Sequence, residues 1–472
     1  MDPRKYILGL AMLTILSATC GAQDRGGQTP VSPPDSTSSA SGDKTQPEAL
    51  DTLPTQDQDT AESSSERHSF FLANLDVNQI AAGSPAGPGS PSQVSFFTDA
   101  VGSLHWLSLQ RRSETAVDYL AGADVYQGSS SYQIQQLDVS QRIRWPGREL
   151  TFADEFGDLP GGSFGSQWFG GASAYDLGVA ESNANSPSSG NLGDFFGSND
   201  FGGVGLAAYI TNVSLAEYSE TVTPRSSFSL VGGYEIAAYS LSSVSGPGLI
   251  NSHGAGGQAS YTYQLNHRNQ VGLVYGLRNL RFPYRNEGSL ETNLLELTYG
   301  RQISRRASLA IGVGPELARV SNPVTGLSHP LNLSGSLSIS YHLRKASLAS
   351  GYDRLVTSGS GLFAGARTDT VNFFLTRPTR KWDVSFDLGY ARLRQLGGVL
   401  GLFPAQSYQY GFAGAGLRRQ YGPHVGLFIS YQFSDESFGN PTCVAFSPCS
   451  AAGQSHTLTV GINLGTRPKP LE

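Results

Sequence analysis

Strict alternation of apolar and polar residues is the feature that most constrains the fold of this chain. The segment LNLSGSLSISYHL, residues 331–343, places Leu, Gly, Ile and Tyr on one parity and Asn, Ser and His on the other. Two basic residues follow, Arg344 and Lys345, and the alternation restarts in ASLASGYDR. Successive side chains point to opposite faces of a strand, so a period of two predicts a β-strand with one apolar and one polar face.

The same alternation recurs along most of the chain. It is visible in TAVDYLAGADVY (115–126), QASYTYQLN (258–266), KWDVSFDLGYA (381–391) and SHTLTVGINLG (455–465). We find no segment of comparable length with the i, i+3, i+4, i+7 apolar spacing of an amphipathic helix. Counting the alternating segments predicts an all-β protein of about 16–18 strands.

The connections between these predicted strands alternate between two lengths. Short basic connections such as NHRN (266–269) and LRKA (343–346) alternate with longer stretches rich in Gly, Ser, Pro and Asn. The longest of these surface loops is predicted at about 159–203, and VTSGSGLFAGA (356–366) is predicted to be a flexible surface loop. Short turns at one end and long loops at the other are typical of bacterial outer-membrane barrels, whose turns are periplasmic.

The strands of a soluble β-sandwich also alternate between apolar and polar residues, but composition and strand length distinguish a soluble sandwich from a membrane barrel. Solvated strand faces carry Lys and Glu freely, whereas charged residues make up only 15% of this chain. The predicted strands have about 11–13 residues, enough to cross a bilayer at a tilt, whereas soluble strands usually have about 5 or 6. We therefore predict an antiparallel transmembrane β-barrel with short periplasmic turns and long extracellular loops. Its apolar face meets lipid and its polar face lines the lumen.

The first 67 residues are predicted to lie outside the barrel, which is predicted over residues 68–472. Residues 1–22 have the charged start, the apolar core and the small residues of a secretory signal peptide. A membrane anchor and a lipoprotein processed at Cys20 are the alternatives. Residues 23–67 are rich in Ser, Thr, Pro and Gln and contain no aromatic residue, so they are predicted to be disordered.

An exported barrel of this kind is predicted to lie in the bacterial outer membrane. Its predicted partners are outer-membrane lipid and the barrel assembly machinery, and homo-oligomerisation is left open. The net charge of −6 and the pI near 5.8 argue against a nucleic-acid partner, which requires a basic patch.

Cys443 and Cys449 lie in the turn-rich segment FGNPTCVAFSPCSAAG, residues 438–453. In an oxidising compartment, two close cysteines are predicted to form a local disulfide. A metal site is the alternative. It would need about four ligands, and His456 is the only obvious additional one.

Candidate catalytic motifs lack the structure that they require. GGSFG (161–165) matches G-x-S-x-G, but the nucleophile elbow needs a strand before the Ser and a helix after it. The glycines around Gly361 are not followed by a helix N-terminus that would bind a phosphate. The eight His residues are dispersed, without metal-ligand spacing. We predict no enzymatic activity, no metal and no cofactor.

The predicted inward parity carries more acids than bases, and barrels of about 16–18 strands leave an aqueous channel. The predicted function is therefore a passive pore for small hydrophilic solutes, with the weak cation preference that carboxylates confer. A structural or surface-display barrel and a barrel accessory to surface polysaccharide export are the alternatives. The predicted pore-lining residues are Asp118, Asp124, Asp138, Arg142, Arg144, Glu235, Arg278, Glu296, Glu316, Asp353, Asp383 and Asp387.

Three segments carry a resemblance to a known group of proteins. LQRRSETAVDYLAGADVYQ (109–127), QQLDVSQRIRW (135–145) and VTSGSGLFAGARTDTVNFFLTRPTRKWDVSFDLGYARLR (356–394) resemble porin-like outer-membrane β-barrel proteins of an uncharacterised group from environmental bacteria. The resemblance extends over roughly residues 70–464. It implies an outer-membrane barrel and brings no known catalytic residue. Such barrels often end on an aromatic residue, whereas this chain ends INLGTRPKPLE.

Overall fold

The computed structural model describes thirteen ranges of the chain, and every structural statement below refers to them. The ranges are 68–84, 93–126, 132–159, 209–239, 250–283, 288–322, 326–359, 363–379, 382–396, 407–422, 424–438, 453–466 and 469–471. The predicted signal peptide, the predicted disordered segment, most of the predicted loop at 159–203 and the predicted disulfide between Cys443 and Cys449 lie outside the described residues.

Twenty strands of the described residues lie in one sheet. Two of them, β12 and β20, have three residues each, and the other eighteen form the barrel wall. The strands are β1 (His68–Ser84), β2 (Gln93–Leu109), β3 (Ser113–Tyr126), β4 (Tyr132–Trp145), β5 (Arg148–Leu159), β6 (Tyr209–Thr223), β7 (Ser226–Tyr239), β8 (Ser252–Asn266), β9 (Asn269–Phe282), β10 (Gly288–Ser304), β11 (Ala307–Asn322), β12 (Gly326–Ser328), β13 (Leu331–Leu343), β14 (Ala346–Thr357), β15 (Ala366–Pro378), β16 (Asp383–Gln395), β17 (Ser407–Tyr421), β18 (Val425–Phe438), β19 (Gly453–Gly465) and β20 (Lys469–Leu471).

The sheet closes on itself, which confirms the predicted antiparallel barrel and its upper strand count. Each long strand pairs antiparallel with the next one along the chain, and β11 pairs directly with β13. The last long strand, β19, pairs with β1 from Asn74 opposite Gly465 to Gly83 opposite His456. In the described residues, no helix is long and apolar enough to cross a membrane.

Alternation sorts the side chains of each strand between an inner and an outer face. On β9, Leu273, Tyr275 and Leu277 point outward and remain 46–48% exposed, whereas Val274 and Arg278 point inward and are buried. Similar exposed Leu, Val, Ile and Tyr side chains cover the outside of the other long strands. A closed sheet with an apolar exterior satisfies its backbone hydrogen bonds internally and presents lipid-compatible side chains, as a membrane requires.

The two-residue turns of the described residues all lie at one end of the barrel, which is called the turn end below. Residues 146–147, 224–225, 267–268, 305–306 and 344–345 are two-residue turns between paired strands. The opposite end, where the longer connections leave the wall, is called the loop end. Odd-numbered strands from β1 to β11 run from the turn end to the loop end, so both ends of the barrel wall lie at the turn end.

Candidate functional site

The candidate functional site is the inner wall of the barrel. Strand register and the alternation of burial place all twelve predicted pore-lining residues on inward-facing positions. They lie on β3 and β4 (Asp118, Asp124, Asp138, Arg142 and Arg144), on β7 to β11 (Glu235, Arg278, Glu296 and Glu316) and on β14 and β16 (Asp353, Asp383 and Asp387). That solutes pass these residues remains a proposal, which is argued below.

Arg278 and Glu235 form a buried ion pair across the intervening strand β8. Arg278 Nε donates to Glu235 Oε1 and Arg278 Nη2 donates to Oε2, each at 2.8 Å. The side chains are only 1% and 10% exposed. Opposite them on β8 lie Gly254 and Gly256, and a Cβ on Gly254 would stand 3.2 Å from Glu235 Oε1. Glycine on β8 thus lets the two side chains meet, and their charges cancel.

Glu296 and Glu316 also lie along the wall rather than across the lumen. Ser336 Oγ donates to Glu296 Oε1 at 2.9 Å, although β11 separates their strands. The carboxylate passes over Gly312 of β11, where a Cβ would overlap Glu296 Oε1. The carboxylate of Glu316 accepts the backbone N–H of Val356 at 3.0 and 3.2 Å. Hydrogen bonds hold both acids against the sheet.

Other large inward side chains lie over glycines of a neighbouring strand in the same way. A Cβ on Gly414 would stand 2.5 Å from Asp387 Oδ2, and a Cβ on Gly389 would overlap the ring of Phe412. Side chains that lie flat on the wall occupy less of the lumen than side chains that stand upright. The inward glycines therefore leave space for side chains of a neighbouring strand, a role that the alternation of the sequence alone does not reveal.

A partly exposed ion-pair network lies on the inner wall near the turn end of β3, β4 and β5. Arg142 Nε and Arg144 Nε each lie 3.2 Å from an oxygen of Glu149, and Arg144 Nη2 lies 3.2 Å from Glu114 Oε2. Glu114 was not among the predicted pore-lining residues. Because two arginines face two glutamates, the network contributes little net charge to the lumen.

An acidic strip on β1, β2 and β3 was missed in part by the sequence analysis. Asn463 Nδ2 donates to Asp76 Oδ1 at 2.6 Å, and Asn78 Nδ2 donates to Asp99 Oδ2 at 3.1 Å. Asp99 lies opposite Asp124 in the register, and both are fully buried. The alternating segment NLDVNQI (74–80) was the signal that could have identified Asp76.

Asp118 has a partner that the sequence analysis also missed. Its carboxylate contacts His105 Nδ1 of the neighbouring strand β2, since the two residues lie opposite each other in the register. In the described ranges, no group of three or more His, Cys, Asp or Glu side chains is arranged to hold a metal ion.

The described residues that connect β14 and β15 enter the loop end of the lumen, so for these residues the prediction of an exposed loop at 356–366 is wrong. The β13–β14 pairing ends at Gly335 opposite Arg354, and β14 continues paired only with β15. Beyond that point Val356 is 2% exposed and Phe363 is 5% exposed. We call residues 355–359 and 363–366 the inturned tip.

Two apolar clusters hold the inturned tip. Val356 packs with inward side chains of β9, β10 and β11, and Phe363 packs with those of β16 and β17. The first cluster contains Leu280, Phe282, Leu290, Ala318, Val320, Val356 and Leu396, and the second contains Phe363, Ala366, Ala391, Leu393, Tyr408, Tyr410 and Phe412. The loop end of the lumen therefore has apolar surfaces along β9 to β11 and β15 to β17.

Gly359 and Gly365 shape the inturned tip, because their φ angles of 87° and 92° lie in the region that favours glycine. Gly365 N–H donates to the carbonyl oxygen of Ser358 at 3.0 Å, and Phe363 N–H donates to that of Gly359 at 3.2 Å. A Cβ on Gly359 would stand 2.5 Å from the carbonyl oxygen of Phe363. Glycine at both positions allows the chain to reverse inside the barrel.

The structural class of this molecule follows from its closed wall of eighteen strands, which has an apolar exterior and a polar interior. The protein is a porin-like β-barrel of the bacterial outer membrane. No protein-family model matches the chain, and no curated protein matches it.

Solved structures with a similar fold include three proteins of Pseudomonas aeruginosa. OccK3 (OpdO) is 13% identical, with a TM-score of 0.43, over 84% of this chain and 96% of that one. OccK2 (OpdF) is 12% identical, with a TM-score of 0.44, over 84% and 98%. The outer membrane protein OpdK is 11% identical, with a TM-score of 0.43, over 84% and 99%. Similarity at this level identifies no shared residue and no shared solute.

Proposed function

We propose that this protein is a passive outer-membrane pore for small hydrophilic solutes, with a weak preference for cations. The observation that carries the proposal is the arrangement of the inner wall, where polar and acidic side chains lie flat over glycines of neighbouring strands. Barrels of this strand number leave room for an aqueous channel. The proposal assigns no enzymatic activity to the protein.

The charge of the inner wall supports the cation preference. The inward acids are Asp76, Asp99, Glu114, Asp118, Asp124, Asp138, Glu149, Glu155, Glu217, Glu235, Glu296, Glu316, Asp353, Asp383 and Asp387, and the inward arginines are Arg142, Arg144, Arg278 and Arg418. Three of these arginines already contact glutamates, so they do not offset the other acids. An excess of carboxylates attracts cations and raises their local concentration.

Reversal potentials in planar bilayers of neutral lipid test this proposal. In KCl gradients, we expect a modest cation preference near 0.1 M that fades near 1 M, because the Debye length falls from about 10 Å to about 3 Å. Asp353→Asn on the inner face of β14 should weaken the preference. Asp435→Asn, at an outward position of β18, is the matched control and should leave it unchanged. Anion preference at low salt would overturn the proposal.

A closed structural barrel is the second candidate, and the inturned tip is the observation that favours it. Its two apolar clusters fill space at the loop end on the side of β9 to β11 and β15 to β17. Conductance distinguishes the two functions. Well-folded protein that inserts into bilayers without measurable conductance would favour the closed barrel.

A further inference from the structure

Two aspartates face each other on the inner wall, near the loop end of β2 and β3. Asp99 and Asp124 lie directly opposite each other in the register, and the Cβ atoms of directly opposed residues are about 5 Å apart. Their carboxylates interact with each other, and both side chains are fully buried. Asn78 of β1 lies in the same row, and its Nδ2 donates to Asp99 Oδ2 at 3.1 Å. We call Asp99 and Asp124 the aspartate pair.

Most oxygens of the aspartate pair have no hydrogen-bond partner. Asp99 Oδ1 and both Oδ atoms of Asp124 are buried without a donor. In the part of the chain that the structure describes, no Lys, Arg or His side chain forms an ion pair with either carboxylate. Burying a carboxylate that has neither a donor nor a cation costs free energy, so these oxygens require a ligand.

The inward neighbours of the aspartate pair do not compensate its charge. Ile80 and Phe97 occupy the next inward row toward the loop end, and Ile134 lies on the inner face of β4. All three side chains are buried, and apolar surroundings do not solvate an anion. The next inward acid toward the turn end of β1, Asp76, adds further negative charge. The environment therefore favours a cation at the pair.

A proton shared between the two carboxylates would compensate the aspartate pair only in part. It would occupy one oxygen of each carboxylate, so one oxygen of Asp124 would stay unpartnered and a buried negative charge would remain. A divalent cation balances both charges and binds all the free oxygens. Carboxylate oxygens are the ligands that Ca²⁺ prefers, and its flexible coordination accepts water for the remaining positions.

We infer that the aspartate pair binds one Ca²⁺ ion between β2 and β3. Full burial suits an ion that its own ligands enclose, whereas a solute that passes through the lumen does not reach buried carboxylates. The described ranges contain no group of three or more His, Cys, Asp or Glu side chains arranged for a metal, so water supplies the other ligands. The ion connects two neighbouring strands, and the inference holds whether or not the lumen conducts.

Equilibrium dialysis with radioactive Ca²⁺ tests the inference on the full chain, refolded in a neutral detergent so that no lipopolysaccharide contributes binding. In about 0.1 M KCl, which screens exposed acids, we expect one tightly bound ion per chain near neutral pH. Asp124→Asn and Asp99→Asn should each lower the affinity by roughly tenfold or more, because the charge of the ligands determines Ca²⁺ affinity. Added Ca²⁺ should raise the unfolding midpoint of the wild-type protein and of neither variant.

Asp387→Asn is the matched control. Asp387 is also a buried inward aspartate with an unpartnered oxygen, but Phe374 and Gly414 lie opposite it instead of a second acid. This control should bind Ca²⁺ like the wild-type protein. Heat modifiability on a gel verifies that each variant is folded, and if one variant of the aspartate pair does not fold, the other decides.

Three results would overturn the inference. The first is no binding by the wild-type protein at millimolar Ca²⁺, which would show that the aspartate pair shares a proton instead. The second is equal binding by the wild-type protein and the variants of the aspartate pair. The third is an equal loss of binding in the Asp387→Asn control, which would place the bound ion elsewhere on the inner wall.

Discussion

Gly312 of β11 provides the space in which the carboxylate of Glu296 lies against the inner wall. The acid thereby reaches Ser336 on β13, two strands away. A single glycine thus determines whether this carboxylate follows the wall or projects into the lumen.

Replacing Gly312 with Val should force Glu296 away from the wall, because the new Cβ would overlap its Oε1. We expect a lower single-channel conductance and a free energy of unfolding that falls by about 1–3 kcal/mol, as overpacking does. Planar-bilayer recordings and denaturant unfolding measure the two effects. Gly335→Val is the control, because the nearest atom to a Cβ there is the Gly312 carbonyl oxygen at 3.6 Å. Equal conductance of both variants would show that Glu296 does not depend on Gly312.

Replacing Arg278 with Gln should strongly destabilise the barrel. The substitution leaves Glu235 buried without its cation, and breaking a buried ion pair typically costs about 3–5 kcal/mol. The double variant Arg278→Gln/Glu235→Gln removes both charges and should recover much of that loss. Arg144→Gln is the control, since the side chain of Arg144 is 55% exposed and such a pair contributes about 0–1 kcal/mol. Denaturant unfolding in detergent measures the free energy of unfolding of all three variants. An equal loss of stability in the Arg144→Gln and Arg278→Gln variants would contradict the prediction.

At the scale of elements, the inturned tip is the part of the wall that departs from a regular barrel. The β13–β14 pairing stops at Gly335 opposite Arg354, and the backbone N–H of Val356, which β13 no longer pairs, is bound by Glu316. The apolar cluster around Val356 and the carboxylate of Glu316 therefore replace the pairing with β13 that β14 loses beyond Arg354.

Truncating Phe363 to Ala should loosen the inturned tip without unfolding the barrel, because Phe363 contributes to one apolar cluster and the wall is paired independently of it. We expect more frequent conductance fluctuations and a nearly unchanged midpoint of global unfolding. Phe373→Ala on the outer face of β15, where Phe373 contacts Phe386, is the control and should not alter the recordings. Identical recordings from the two variants would mean that the tip does not border the conducting path.

At the scale of the whole molecule, the orientation in the membrane follows from connection length. The basic turns at Arg112, Arg268, Arg306, Lys345 and Lys381 are predicted to face the periplasm, and the loops around Gly398 and Asn440 to face the outside. Single cysteines at Arg268 and Asn440, in a variant whose own three cysteines are replaced, test the prediction with a membrane-impermeant reagent on intact cells. Labelling is expected at position 440 only, and labelling at position 268 alone would reverse the orientation.

Local sequence determined the strands, their two faces and the barrel class, because alternation is a property of neighbouring residues. QVGLVYGLRNL (270–280) is an example, since its exposed and buried side chains follow its parity to the loop end of β9. The same reasoning assigned the predicted pore-lining acids to the inward parity of their strands.

Only the tertiary structure decided the partners of those side chains. Asp76 meets Asn463 because the last long strand closes onto the first, and Arg278 meets Glu235 over the glycines of β8. The glycine- and serine-rich sequence 356–366 has the composition of an exposed loop. Its described residues turn inward because the walls of β9 to β11 and β16 to β17 present apolar side chains on the lumen side, which bury Val356 and Phe363. A contact between two strands that are far apart in sequence leaves no periodic pattern in the sequence of either strand. Such contacts form when the barrel closes, and the tertiary structure is needed to identify them.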